Sequence, residues 1–145
     1  MLKKKTTHKS LTKKKVEKPT LAKTKAKAWT AFSLYIRTKY LINQQCECYT
    51  CGHKNLINKT TAGHGISGRT NAVLFMEEVV RPQCIACNVF AGGRYRVFTA
   101  KLIDELGGEE YDRLAQLARK TVVYTPYDYM EIEQKYLKKL WDLSF

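Results

Sequence analysis

Cys48-Tyr49-Thr50-Cys51 is followed, after thirty-two residues, by Cys84-Ile85-Ala86-Cys87-Asn88. A Cys-x-x-Cys pair turns tightly enough to set two thiolates on one zinc ion, and two pairs close a tetrahedral site with zinc–sulfur bonds near ~2.3 Å. Four thiolates leave no open coordination position, so such a zinc is structural. It replaces core that a small domain lacks, and its binding couples ~10–16 kcal/mol to folding. A redox Cys-x-x-Cys is the rival reading, and two pairs in one short chain argue against it. Cys46 is left over. It could exchange with Cys48 as a ligand, but a free, partly buried thiol is the simpler view. His53, two residues after Cys51, is a further substitute ligand and reads more simply as a surface histidine.

The residues bracketed by the two pairs hold the reactive candidates. Ala62-Gly63-His64-Gly65 precedes a loop containing Ser67, Gly68 and Arg69. Ala72-Val73-Leu74-Phe75-Met76 has the composition of a strand, and Cys84–Asn88 should open a helix. Strand with His, loop, strand, helix with Asn is the order of a ββα-metal finger. That gives the expected fold class: α+β, a zinc-stapled ββα-metal (HNH-like) finger with flanking helices. Phosphodiester hydrolysis needs a base for water, and imidazole suits neutral pH. It also needs a cation to stabilise the leaving oxygen. His64 is the candidate base. Asn88 offers a neutral oxygen to magnesium or manganese, with His64 as a further candidate ligand. Arg69 could grip the scissile phosphate with two parallel hydrogen bonds.

Outward from this frame, charge is uneven. The chain has 145 residues and a net charge of +13, of which residues 1–27 supply +10 from eleven Lys and Glu17. Lys3, Lys4, Lys5, Lys13, Lys14 and Lys15 stand in runs that cannot bury a core, so 1–27 is read as a disordered tail. Such an arm binds nucleic acid by releasing counterions from phosphates; a solubilising tail is the bland alternative. Residues 28–145 then form the nuclease domain. Trp29, Phe32, Ile36 and Tyr40 recur at helical spacing and place a helix over 26–41. Phe98, Leu102 and Leu106 mark a second helix stopped by Gly107-Gly108, and Glu109 and Glu110 suit the start of a third. Thr125-Pro126 caps a last helix carrying Tyr129, Ile132, Tyr136 and Leu140. No apolar stretch approaches the ~20 residues of a membrane span, and the basic N-terminal residues lack the apolar segment of a secretory signal. These features point to a cytosolic, reducing compartment.

Several blocks together resemble the NinG/Rap recombination endonucleases of bacteriophages. They are Lys27-Ala28-Trp29 with Phe32-Ser33 and Tyr35-Ile36-Arg37, Cys48-Tyr49-Thr50-Cys51-Gly52, Ala62-Gly63-His64, Pro82-Gln83-Cys84 with Cys87-Asn88, and Tyr136-Leu137-Lys138-Lys139-Leu140. They span about residues 26–142, in order. A more distant similarity is to the endonuclease VII resolvases, which also place Asn directly after the last zinc cysteine. The resemblance implies cleavage of branched DNA such as Holliday junctions and D-loops, in the cytoplasm of an infected bacterium. His64 would be the general base and Asn88 a magnesium ligand, with zinc on Cys48, Cys51, Cys84 and Cys87. Two positions depart. Gly63 stands where endonuclease VII and many HNH enzymes carry a metal-binding Asp or His. Val79 stands where the family often has an Asn, the residue that orders the His loop in HNH enzymes, so Val79→Asn is expected to tighten that loop.

The sequence thus points to a metal-dependent endonuclease on branched double-stranded DNA. Cutting both arms of a junction favours a homodimer. The alternatives are a catalytically silent zinc-dependent DNA-binding protein and a sequence-nonspecific HNH nickase.

Overall fold

The computed structural model describes residues 18–144. The tail lysines Lys3, Lys4, Lys5, Lys13, Lys14 and Lys15 lie outside them. The first helix, α1 (Leu21–Lys39), starts six residues before the expected domain boundary at 27. Thr20 sets its start: it follows Pro19, and its hydroxyl accepts the Lys23 amide at 3.4 Å. Three short antiparallel strands follow, β1 (Leu41–Ile42), β2 (Gln45–Glu47) and β3 (Lys54–Leu56). A separate antiparallel hairpin pairs β4 (Thr60–His64) with β5 (Val80–Cys84), in a register that joins Thr60 to Cys84 and His64 to Val80. A π-helical turn (Ala86–Phe90) and helices α2 (Tyr95–Leu106), α3 (Gly108–Leu117) and α4 (Pro126–Ser144) complete the chain.

The second strand is not where the apolar run suggested. Residues 72–76 form successive turns, with the Val73 amide on the Thr70 carbonyl at 3.0 Å and the Met76 amide on the Val73 carbonyl at 3.1 Å. Val73 and Leu74 are buried, so their apolar character marks core and not extended backbone. The true strand, β5, reads Val-Arg-Pro-Gln-Cys and is buried at every position. Arg81 survives there because its guanidinium reaches the Glu77, Glu78 and Val80 carbonyls and the Glu105 carboxylate, the last at 2.7 Å. Pro82 is tolerated because the hairpin has only two strands, so β5 keeps an edge where a missing N–H breaks no ladder.

One core unites the elements. Phe32 and Ile36 of α1, Ala62 of β4, Val79 and Val80, Phe98 and Leu102 of α2, Leu114 of α3 and Tyr136 of α4 are buried together. Tyr136 meets the Phe32 ring edge-on at 4.8 Å, and its hydroxyl donates to the Phe75 carbonyl at 3.1 Å. Helices α1 and α4 are also tied through Glu77, which accepts hydrogen bonds from Tyr35, Lys39 and Lys139. The later helices end as their sequences dictate. Gly107 closes α2 with its amide on the Ile103 carbonyl at 2.8 Å. Thr125 and Asp128 cap α4 reciprocally: the Thr125 amide donates to Asp128 at 2.6 Å and the Asp128 amide to the Thr125 hydroxyl at 3.3 Å.

The loop after β4 does not need an Asn at position 79. The Val79 carbonyl itself accepts the Gly65 amide at 2.7 Å, and the Val79 side chain is fully buried in the core. The expectation for Val79→Asn is therefore reversed. An amide placed there enters an apolar site, which costs roughly 1–3 kcal/mol for an unpaired polar group. A urea midpoint for Val79→Asn equal to or above that of the parent would contradict this packing.

Candidate metal centre and His64 site

The four-cysteine cluster is built by two different turns. Cys48–Cys51 sits between β2 and β3, closed by the Gly52 amide on the Cys48 carbonyl at 2.8 Å and the Cys48 amide on the His53 carbonyl at 2.9 Å. Cys84 ends β5, and the turn to Cys87 places the Cys87 amide 3.4 Å from the Cys84 sulfur. The ligand atoms of Cys48, Cys51, Cys84 and Cys87 all lie within 4.8 Å of one another. They form the one group of three or more His, Cys, Asp or Glu side chains, among the described residues, placed to hold a metal ion. The donor set suits structural zinc. Burial opposes ionisation of Cys48. Hydrogen bonds from the Thr50 hydroxyl and from the Cys84, Cys51 and Thr50 amides outweigh it, bringing the thiol down to about 6. Arg94, exposed beside the cluster, places its guanidinium 3.9 Å from the Cys87 sulfur. Cys46 takes no part. It is fully buried, not partly, with its thiol 3.0 Å from the Arg37 carbonyl. His53 is exposed at the surface.

Gln83 couples the cluster to the hairpin. Its Nε2 donates to the Thr50 hydroxyl at 3.0 Å and to the Gly93 carbonyl at 2.9 Å. The amide oxygen is buried without a hydrogen-bond donor and lies against Gly63. A Cβ at position 63 would fall 2.0 Å from that oxygen. An Asp or His at 63 would force the buried Gln83 side chain to move, and the glycine leaves that space to it. Gly65 is constrained likewise: a Cβ there would stand 2.1 Å from Leu102 and 2.7 Å from Phe98, so α2 packs directly on the backbone beside His64.

His64 ends β4 and is buried. Its Nε2 lies 3.0 Å from the Leu74 carbonyl oxygen. A carbonyl can only accept, so Nε2 carries the proton and the neutral ring keeps its lone pair on Nδ1. Burial lowers the imidazole pKa to about 4; the Leu74 hydrogen bond opposes this and the Arg69 charge adds to it. Trp29 stacks on the ring at 5.5 Å and carries the Arg69 guanidinium at 4.6 Å from its own ring centre. The structure therefore gathers His64, Arg69 and Trp29. From the sequence Trp29 read only as part of the apolar stripe of the first helix.

Asn88 is placed elsewhere. Its Nδ2 donates to the Thr61 hydroxyl at 2.8 Å. Strand alternation puts Thr61 and Gly63 on one face of β4 and Ala62 and His64 on the other. His64 and Asn88 hence flank the strand and do not meet side chain to side chain. Asn88 spends the donor end of its amide on Thr61, which leaves Oδ1 as its ligand atom.

The family model for the bacteriophage lambda NinG protein matches residues 2–144. The chain belongs to the NinG family. No curated protein and no solved structure matches it. No helix among the described residues is long and apolar enough to cross a membrane.

A charge pattern also emerges that tail-centred reading overlooked. Residues 48–76 hold Lys54, Lys59 and Arg69 and no acid, and residues 79–103 hold Arg81, Arg94, Arg96 and Lys101 and no acid. Basic residues thus outnumber acids around the hairpin and cysteine cluster of this NinG-family chain, where the acids are Glu47 before Cys48 and Glu77 and Glu78 before β5, while further acids crowd α2's end, α3 and α4. The signal was present in the sequence and was hidden by averaging over residues 28–145.

Cys87→Ala should lose bound metal and the cooperative fold, because three thiolates no longer close the site. Cys46→Ala should keep stoichiometric zinc. Elemental analysis finding no zinc in a well-folded parent sample would remove the metal centre from this account.

Proposed function

We propose that this NinG-family chain is a metal-dependent endonuclease acting on branched recombination intermediates of phage DNA in the infected host's cytoplasm. The observation that carries this reading is His64: a strand-end histidine, neutral at pH 7, whose tautomer is fixed by the Leu74 carbonyl. A base in that state can take a proton from water on Nδ1. An anionic phosphate beside the ring favours the imidazolium and raises its pKa toward the useful range. Arg69, exposed and stacked over Trp29, is within the same corner to hold that phosphate. The fit of the second metal is narrower. Among the described residues no group of three or more His, Cys, Asp or Glu includes His64, and Asn88 is held on Thr61 at the other face of β4, so a magnesium or manganese ion beside His64 would be held mainly by the DNA phosphates and water. Bound there, the ion would stabilise charge on the leaving oxygen.

Two cuts at one junction call for two active sites. The helix α4 exposes Tyr127, Met130 and Leu137, at spacings of three and seven residues, together with Trp141. That seam is the homodimer interface in this reading. Leu137→Glu should turn a sedimenting dimer into a monomer; a parent that sediments as a monomer at micromolar concentration contradicts it.

The Gln83 oxygen over Gly63, where a metal-binding side chain would have to stand, favours one other reading, a zinc-stabilised DNA-binding protein without activity. Cleavage of a labelled four-way junction beside a linear duplex, with magnesium or manganese, separates the two. His64→Ala should slow cleavage by roughly 10²–10⁴ while zinc content and junction binding persist. The low pKa sets the pH dependence. An ordinary histidine base loses activity below about 6.5, whereas His64 stays unprotonated until about 4, so kcat/KM should hold through pH 6. The same shift makes the unfolded chain bind more protons between those two values, so stability contributed by neutral His64 is full above 6.5 and falls on acidification toward 4. A parent whose kcat/KM collapses near 6.5, or His64→Ala cleaving as fast as the parent, rules out this assignment.

A further inference from the structure

Phe90 is 84% exposed, the most exposed large apolar side chain among the described residues, and Val89 beside it is 60% exposed. Both sit on the π-helical turn Ala86–Phe90, directly after the last cysteine ligand. This turn is not slack. The Ala91 amide bonds the Ala86 carbonyl at 2.8 Å, the Gly93 amide bonds the Cys87 carbonyl at 2.9 Å, and Asn88 is held on Thr61. An aromatic ring displayed on fixed backbone, with two side-chain torsions to restrict, loses little entropy when it is covered. The surroundings define what covers it. Arg94 and Arg96 are exposed just beyond the turn. A groove of about 680 Å³ runs past it, lined by His53, Lys59, Ile85 and Arg94. No acid occurs from Val79 to Ile103. The matching surface is anionic yet offers flat apolar faces, which is the chemistry of nucleic-acid bases beside their phosphates.

We propose that the turn Ala86–Phe90 is a wedge that seats Phe90 on bases exposed at a DNA branch point, with Lys59, Arg94 and Arg96 on the flanking phosphates. The proposal rests on the branched-DNA reading above and extends it to the source of junction preference. In a continuous duplex every base is already stacked, and inserting a ring costs a few kcal/mol per opened step. At a branch point that stacking is already interrupted. Phe90 therefore contributes to junction binding and hardly to duplex binding, while the cations contribute to both.

The test is a comparison of full-length, zinc-loaded parent, Phe90→Ala, Phe90→Tyr and Arg94→Ala on a four-way junction and a matched duplex at fixed salt. The junction carries 2-aminopurine at its centre. Phe90→Ala should lose roughly ten-fold in junction affinity, the scale of one lost base–aromatic stack, with duplex affinity, zinc content and thermal midpoint unchanged. Phe90→Tyr should retain the preference, and Arg94→Ala should weaken both DNAs together. The 2-aminopurine signal should respond to parent and not to Phe90→Ala. A parent that prefers junctions while Phe90→Ala keeps both the preference and the signal overturns the wedge and leaves the branched-DNA reading standing. A parent with no junction preference overturns both. Phe90-dependent binding to vesicles of anionic phospholipid, without a Phe90 effect on junctions, reassigns the turn to a membrane surface.

Discussion

Four cysteine sulfurs within 4.8 Å of one another are the constraint on which the rest of this structure depends. Bringing four thiolates together without a cation is opposed by their mutual repulsion and by the burial of three of them. With a divalent ion the same arrangement becomes the strongest local bond in the fold. Its consequences follow from where the two pairs sit. One pair belongs to the small three-stranded sheet and the other to the end of the β4–β5 hairpin, so a metal held by all four would tie the two sheets together. The Tyr49 amide on the Pro82 carbonyl at 2.8 Å and Gln83 on Thr50 add direct hydrogen bonds across the same joint.

That joint explains the polar residues buried in β5. Gln83 is fully buried, which costs heavily unless its amide is paired. It is paired on the donor side to Thr50 and Gly93, and so it ties the first cysteine turn to the segment after the second. Its oxygen then occupies the space over Gly63. The glycine before His64 is therefore read better as the partner of Gln83 than as a lost ligand. A backbone without a side chain there lets the hairpin and the cluster close on one another, and His64 is carried into the core against Trp29 as a result. Its burial, its neutral state and its fixed tautomer all descend from this packing.

Much of this was legible in the sequence, for identifiable reasons. Cysteine spacing states a metal geometry almost directly, and the four helices announce themselves through apolar spacing and through caps at Gly107 and Thr125. The strand bearing His64 also stands where expected. The second strand was hidden because Arg81, Pro82 and Gln83 look like loop residues until Glu105, the hairpin's free edge and Thr50 are known to satisfy them. Conversely, Val73 and Leu74 look like strand because burial alone makes a residue apolar, in turns as well as in sheets. The Trp29–His64 stack joins residues thirty-five positions apart, and nothing local encodes it. The separation of His64 from Asn88 by strand alternation is likewise a matter of register, which the motif's linear order does not carry.

Charge makes the last step of the synthesis. Residues 1–27 hold most of the net charge, and attraction between lysines and phosphates of any shape falls off steeply with salt. The hairpin and cluster hold fewer cations, and two of the exposed ones are held in place: Arg69 over Trp29 and Arg94 beside Cys87. Arg81 is spent internally on carbonyls and Glu105, and Lys101 donates to the Tyr49 carbonyl at 2.6 Å. Arg69, Lys59, Arg94 and Arg96 are exposed and available to a partner. Charge held at set positions near an exposed ring can favour one shape of polyanion over another. On the functional reading proposed above, the folded part would supply positioned charge beside the exposed Phe90 ring, and the lysines of residues 1–27 would add to the total attraction.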